Sequence, residues 1–143
     1  MRKLYVPISM DPEHNQDLYR EDFKKLGVSH VFLTEPDRLV YKHGECYELA
    51  MENARKHIQI YEDLGYECGV WISTLGYGHP LFTTVESHKE TFRWIRSVVG
   101  CEKEDAICPT DQNFVARICR IITDFAKAGA KMIMLDDELC LSL

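Results

Sequence analysis

The run Lys131-Met132-Ile133-Met134-Leu135-Asp136-Asp137-Glu138 limits what this chain can fold into more than any other stretch. Its apolar residues occupy successive positions rather than every second one, which suits a strand buried on both faces of a parallel sheet. It then stops on three carboxylates, with no Lys or Arg after them. Parallel sheets bind ligands beyond the carboxyl ends of their strands, so the acids mark that end as a candidate site. The plainer alternative is a solvated acidic turn. Repulsion among three adjacent acids argues for the site.

The rest of the chain repeats the strand theme with helices between. Leu4-Tyr5-Val6-Pro7-Ile8 predicts a first strand, ending at Asp11. A helix follows from about Asp17, with Leu18, Phe23 and Leu26 on one face and Gly27 as its stop. Val31-Phe32-Leu33 predicts the second strand. Leu49, Ala50, Ala54, Ile58, Tyr61 and Leu64 recur at helical spacing from about Cys46 to Gly65. Cys68-Gly69-Val70-Trp71-Ile72 predicts the third strand. Between His79 and Pro109 the pattern breaks into an excursion, with one strand in 91–99 and a returning strand at Ala106-Ile107-Cys108. Thr110 or Asp111 then caps a helix lined by Phe114, Ile118, Ile121, Ile122 and Phe125 and closed by Gly129.

Strands that alternate with helices imply a parallel sheet joined by right-handed crossovers. The expected class is α/β: four parallel strands, three helices and an inserted hairpin or loop after strand three. The first two strand starts lie about 27 residues apart, near the repeat of a (β/α)-barrel in which roughly 250 residues make eight units. Residues 1–143 therefore read as one domain, a partial TIM-like barrel corresponding to an amino-terminal half. It would meet either the missing half or a second copy. In such a half, Ile8, Leu33, Ile72 and Met134 are expected as partly uncovered interior positions.

Charge and cysteine usage narrow the partners. A net charge of -6 with scattered Lys and Arg disfavours nucleic acid and anionic membranes. No segment approaches a membrane span and no secretory signal precedes the first strand, so the expected location is cytoplasmic. The six cysteines form no Cys-x-x-Cys pair and no zinc-like spacing with the histidines. Cys68 and Cys119 are expected in the core, and only Cys101 and Cys108 flank a loop that could bring two thiols together. Phosphate-cradling glycine patterns are absent, and no cofactor is expected.

Side chains alternate along a strand, so Met134, Asp136 and Glu138 share one face while Leu135 and Asp137 share the other. Repulsion from Asp136 would raise the proton affinity of Glu138. A carboxyl group kept protonated near neutral pH is what a general acid needs to protonate a glycosidic oxygen. The segment Gly129-Ala130-Lys131-Met132-Ile133-Met134-Leu135-Asp136-Asp137-Glu138 resembles the fourth-strand segment of chitinase-like barrel glycoside hydrolases, where the strand ends Asp-x-Glu. The order of elements is also similar to that of bacterial glycosidase-like barrels. The resemblance implies Glu138 as general acid, Asp136 as its partner and Asp137 in support.

Other strand ends would supply Asp11, Glu35, Arg38, Trp71, Tyr77 and His79 to a carbohydrate ligand, and Arg93 would come from the inserted hairpin. Trp71 and Tyr77 could stack on sugar rings, although Trp71 also reads as a barrel-core or helix-facing residue. Glu35 to Arg38 could equally be a turn held by an Asp37–Arg38 pair. Two other functions fit the same acids. One is a metal-dependent sugar isomerase or epimerase, with Asp11 and Glu35 adding oxygen ligands. The other is a non-catalytic carbohydrate-binding or assembly domain.

Overall fold

The computed structural model describes residues 4–14, 22–34, 39, 42–73, 92–96, 100 and 102–136. Four strands form one sheet: β1 (Tyr5–Ser9), β2 (His30–Thr34), β3 (Glu67–Ser73) and, last in the chain, β6 (Met132–Asp136). They lie in the order β1-β2-β3-β6, and every pair is parallel. Two long helices connect them, α1 (Gly44–Asp63) and α2 (Gln112–Lys127), with a 3-10 turn at Pro12–His14 and helical residues 22–25 after β1. The expected excursion after β3 contains an antiparallel hairpin of β4 (Trp94–Arg96) and β5 (Glu102–Ile107), the latter longer than its apolar end implied.

Three helical segments end in the same way. Gly65 takes φ 85°, its N–H donates to the Glu62 carbonyl at 2.8 Å, and the next N–H, of Tyr66, reaches Tyr61 at 3.0 Å. Gly129, at φ 111°, repeats the pair of bonds to Ala126 and Phe125, and Gly27 repeats it to Lys24 and Phe23. Glycine enters the left-handed region without a Cβ penalty and lets the last turn satisfy its own carbonyls. Each turn delivers the chain directly into the following strand.

Parallel register puts paired residues on one face. Val6, Val31 and Cys68 form one row; Ile8, Leu33, Val70 and Ile133 form the next; Ile72 pairs with Leu135. Val31, Leu33, Cys68, Val70 and Ile72 are fully buried in a single cluster with Tyr47, Met51, Ile58 and Tyr61 of α1 and Ile121 and Phe125 of α2. Both helices thus cover the same face. Crossovers of one hand that always advance to the next strand have this result, because nothing reverses the winding.

This arrangement corrects several expectations. Ile8, Leu33 and Ile72 belong to the helix-covered face, not to an uncovered interior; of the four residues expected there, only Met134 has the other parity. The stripe of α1 runs through Tyr47, Met51, Ala54, Ile58 and Tyr61. Leu49 stands about 200° around the helix from Tyr47 and is 60% exposed. Leu26 is likewise exposed, and Cys119, one step off the stripe of Ile118 and Ile121, faces solvent. Cys68 is buried as expected, and Cys108 is a free thiol rather than a disulfide partner.

The edges also differ. The Met10 N–H donates to the Thr34 carbonyl at 3.1 Å, so by alternation the odd positions of β1 direct their backbone groups away from β2. Pro7, which has no N–H, therefore costs the ladder nothing. At the opposite edge, Met132 and Leu135 are about half exposed on the two faces of β6.

Asp111, 5% exposed, is the N-cap of α2. Its Oδ1 accepts from the Phe114 N–H at 2.9 Å, and its Oδ2 accepts from the backbone and Nε of Arg93 at 3.2 and 3.1 Å. Burial works against the charged form, but the two backbone donors and the guanidinium prevail and hold the carboxyl below its usual range. A depressed acid adds stability above its unfolded value of about 4, and that stability is lost as pH falls through the folded value. Asp111→Ala should destabilise the protein by about 1–2 kcal/mol in urea unfolding and flatten the acid limb of stability below about pH 4. An unchanged acid limb would contradict the assignment.

Cys68 sits at the other extreme. Burial, reinforced by Glu62, pushes its thiol up to about 12. Burial and the hydrogen bond to Asp124 also push the Tyr47 phenol up. Raised groups stabilise the fold below their unfolded values, and the contribution is lost as pH climbs from about 9 toward the folded values. Urea midpoints should fall above about pH 9, less steeply in Cys68→Ala. Disulfide reagents should label Cys68 only at the rate of unfolding.

Candidate functional site

The second face of the sheet carries the residues of opposite parity. Tyr5, His30 and Glu67 form its first row; Pro7, Phe32, Gly69 and Met132 the second; Ser9, Thr34, Trp71 and Met134 the third; Ser73 pairs with Asp136 beyond them. Of the fully buried core residues none lies in these rows, and Phe32, Trp71 and Met134 keep intermediate exposure. Trp71 therefore looks away from the helices, which removes its helix-facing reading. Asp136 is exposed, has the parity of Met134 and follows the Trp71 row at the carboxyl end of β6.

The end of β1 is organised locally. The Asp11 N–H donates to Ser9 Oγ at 3.2 Å, Asp11 Oδ1 accepts from the Glu13 N–H at 2.9 Å, and Oδ2 lies 3.2 Å from His14 Nδ1. Asp11 thus shapes the 3-10 turn after β1, at the same end of the sheet as Asp136. Thr34 Oγ1 donates back to the Ile8 carbonyl at 3.0 Å, and Tyr61 Oη ties α1 to the Ser9 carbonyl at 3.2 Å. Arg93 is fastened to Asp111, and its Nη2 donates to the Thr110 carbonyl at 3.3 Å. Its described side-chain bonds all serve the start of α2, while its carbonyl accepts from the Cys108 N–H at 2.8 Å. Glu35, Arg38, Tyr77, His79, Asp137 and Glu138 lie outside the described residues.

Two polar groupings escaped the sequence reading. In the first row of the open face, Tyr5 Oη donates to Glu67 Oε1 at 2.7 Å, while His30 Nε2 stands 3.5 Å from the same oxygen. Ser29 Oγ lies 2.7 Å from His30 Nδ1, and the Tyr5 and His30 rings meet edge-on at 4.8 Å. Burial and Glu67 raise the Tyr5 phenol. This row occupies the amino ends of the strands, opposite Asp136, and it depends on a register that no local pattern encodes.

The second grouping fills the seam between the helices. Tyr47 Oη donates to Asp124 Oδ2 at 2.8 Å, and the guanidinium carbons of Arg117 and Arg120 stand 4.2 and 4.4 Å from the Tyr47 ring centre. Arg120 also pairs with Glu48, and its Nε lies 3.6 Å from Asp124 Oδ2. Arg117, 9% exposed, donates from Nη2 to the Leu39 carbonyl at 2.9 Å. A buried charge among apolar helix positions was the only available sequence signal.

Among the described residues, no three His, Cys, Asp or Glu side chains are grouped to hold a metal ion, and no helix is long and apolar enough to cross a membrane. No family model matches the chain, and no curated protein matches it.

Proposed function

We propose that the open face is the inner side of a (β/α)-barrel and that its carboxyl end is the carbohydrate site of a glycoside-hydrolase-like protein. The observation that carries this reading is the parity of β6: Asp136 belongs to the face that the helices leave uncovered, beside the row of Trp71. Parallel strands that advance without reversal are the winding of a barrel, whose inner side is the face opposite the helices. Glu138, two residues past Asp136 in the sequence, is assigned the role of general acid. Asp136 acts on it by like-charge repulsion, and Asp137 supports the ligand.

Trp71 supplies the apolar platform of such a site, since aromatic faces pack against the C–H faces of pyranose rings. Glu35, Arg38, Tyr77 and His79 add polar contacts from the connections after β2 and β3, and Asp11 shapes the rim after β1. Closing the barrel requires about four more strands, from the same polypeptide or from a second copy. The half-exposed Met132 and Leu135 of β6 are the side chains that such a neighbour would cover.

The test is turnover of a panel of aryl glycosides by the full-length protein. Release of the aryl group from one sugar class, lost on Trp71→Ala through a raised KM, is the expected result. Binding of sugars without any turnover would replace catalysis by a carbohydrate-binding role, and cation-dependent isomerisation or epimerisation of a free sugar without aryl release would favour an isomerase-like site.

A further inference from the structure

We infer, resting on the reading of the carboxyl end as a carbohydrate site, that His14 determines specificity there: Asp11 holds its imidazole so that Nε2 accepts a hydrogen bond from a hydroxyl of an oligosaccharide. The turn that carries this pair is anchored in the core. Met10 is 2% exposed and its N–H reaches the Thr34 carbonyl at 3.1 Å, while the buried Tyr61 donates to the Ser9 carbonyl at 3.2 Å. The His14 N–H closes the turn on the Asp11 carbonyl at 3.2 Å. One carboxylate oxygen of Asp11 accepts from the Glu13 N–H at 2.9 Å, and the other lies 3.2 Å from His14 Nδ1.

A carboxylate oxygen only accepts, so the ring nitrogen that faces it carries the proton, and in the neutral imidazole Nε2 is then the acceptor. The described bonds of His14 use its backbone N–H and Nδ1 and leave Nε2 to a ligand. Its side chain is 72% exposed against 29% for Asp11, so the ring is the group that a ligand meets. Exposed pairs of this kind contribute little to stability, and backbone bonds already close the turn, so the fold does not depend on the ring. Asp11 follows Ser9, which stands in the row of Thr34, Trp71 and Met134 on the open face. β1 and β6 are the outer strands of the four, three spacings or roughly 14 Å apart. A ligand that meets both His14 and Asp136 is therefore longer than one sugar ring, and His14 contacts a unit remote from the cleaved bond.

The experiment uses the full-length protein as wild type, His14→Ala and Asp11→Asn. Nitrogen NMR of the imidazole should find neutral His14 protonated at Nδ1. Asp11→Asn should move the proton to Nε2, because the amide keeps an oxygen for the Glu13 N–H and turns its NH2 toward Nδ1. Pentasaccharides of glucose, xylose, mannose and N-acetylglucosamine are then titrated, and one of them should shift the Nε2 resonance of wild-type His14. On an aryl oligoglycoside of that sugar, His14→Ala should raise KM about tenfold with kcat unchanged, while an aryl monoglycoside, too short to reach His14, loses less than about twofold. If no glycoside is turned over but a pentasaccharide still shifts Nε2, the catalytic reading fails alone and His14 stands as a carbohydrate contact. A wild-type proton on Nε2, no shift with any pentasaccharide, or equal losses on the two substrates overturns the proposal.

Discussion

Glu138→Gln should reduce turnover of an alkyl or weakly activated aryl glycoside by about 100- to 10,000-fold, the usual contribution of a positioned general acid. The amide keeps the size of the side chain and removes its proton, so stability should stay near wild type. The loss should shrink as the leaving group improves, because a dinitrophenolate departs without protonation whereas an alkoxide cannot. That gradient separates a general acid from a residue that only binds sugar. Asp136→Asn should move the alkaline limb of the activity profile to lower pH, since removing the neighbouring negative charge lets Glu138 lose its proton sooner. Equal losses across all leaving groups would assign Glu138 to binding, and undiminished activity would end its candidacy.

Gly69→Val should lower stability by about 3 kcal/mol, or roughly 10 °C in the thermal midpoint of a domain this size. A Cβ at Gly69 would meet Phe32 Cε1 at 2.7 Å and Cδ1 at 2.8 Å, with the Met132 carbonyl oxygen at 3.2 Å. The carbonyl is sheet backbone and cannot withdraw. The Phe32 ring cannot readily swing aside either, because Tyr5 packs against it at 4.7 Å and is itself bonded to Glu67. Strand glycines often mark such a close approach. Phe32→Ala should therefore relieve part of the penalty, giving a double variant more stable than the two single effects predict by about 1 kcal/mol. A Gly69→Val midpoint equal to wild type would show that Phe32 does not rest on this glycine.

Much of the secondary structure was legible because its signals are local. The stop at Gly65, the cap at Asp111 and the apolar stripe from Phe114 to Phe125 each depend on residues within one or two turns. The hairpin after β3 was visible for the same reason, as alternation that broke the helical period. Asp136 at the end of β6 was legible too, since a carboxylate closing an apolar strand needs no partner to be noticed. The Tyr5, His30 and Glu67 row was not, because its members come from three strands and meet only through register. Arg93 illustrates the same limit: as a hairpin cation it reads as a ligand contact, yet the structure gives it to the Asp111 cap.

Residues alone determined that this chain alternates strand and helix, that the four strands outside the hairpin run parallel, and that the last of them leads into carboxylates. Alternation along each strand divides the side chains into two sets, and large apolar residues stand in both, Val31, Leu33, Val70 and Ile72 in one and Phe32, Trp71 and Met134 in the other, so the pattern alone does not say which set the helices cover. Tertiary structure decided it. Crossovers of constant direction placed α1 and α2 against Val31, Leu33, Val70 and Ile72, and left Trp71, Met134 and Asp136 on the other side. The physical reason is that a side chain's face is local geometry, whereas its burial depends on where a helix many residues away comes to rest.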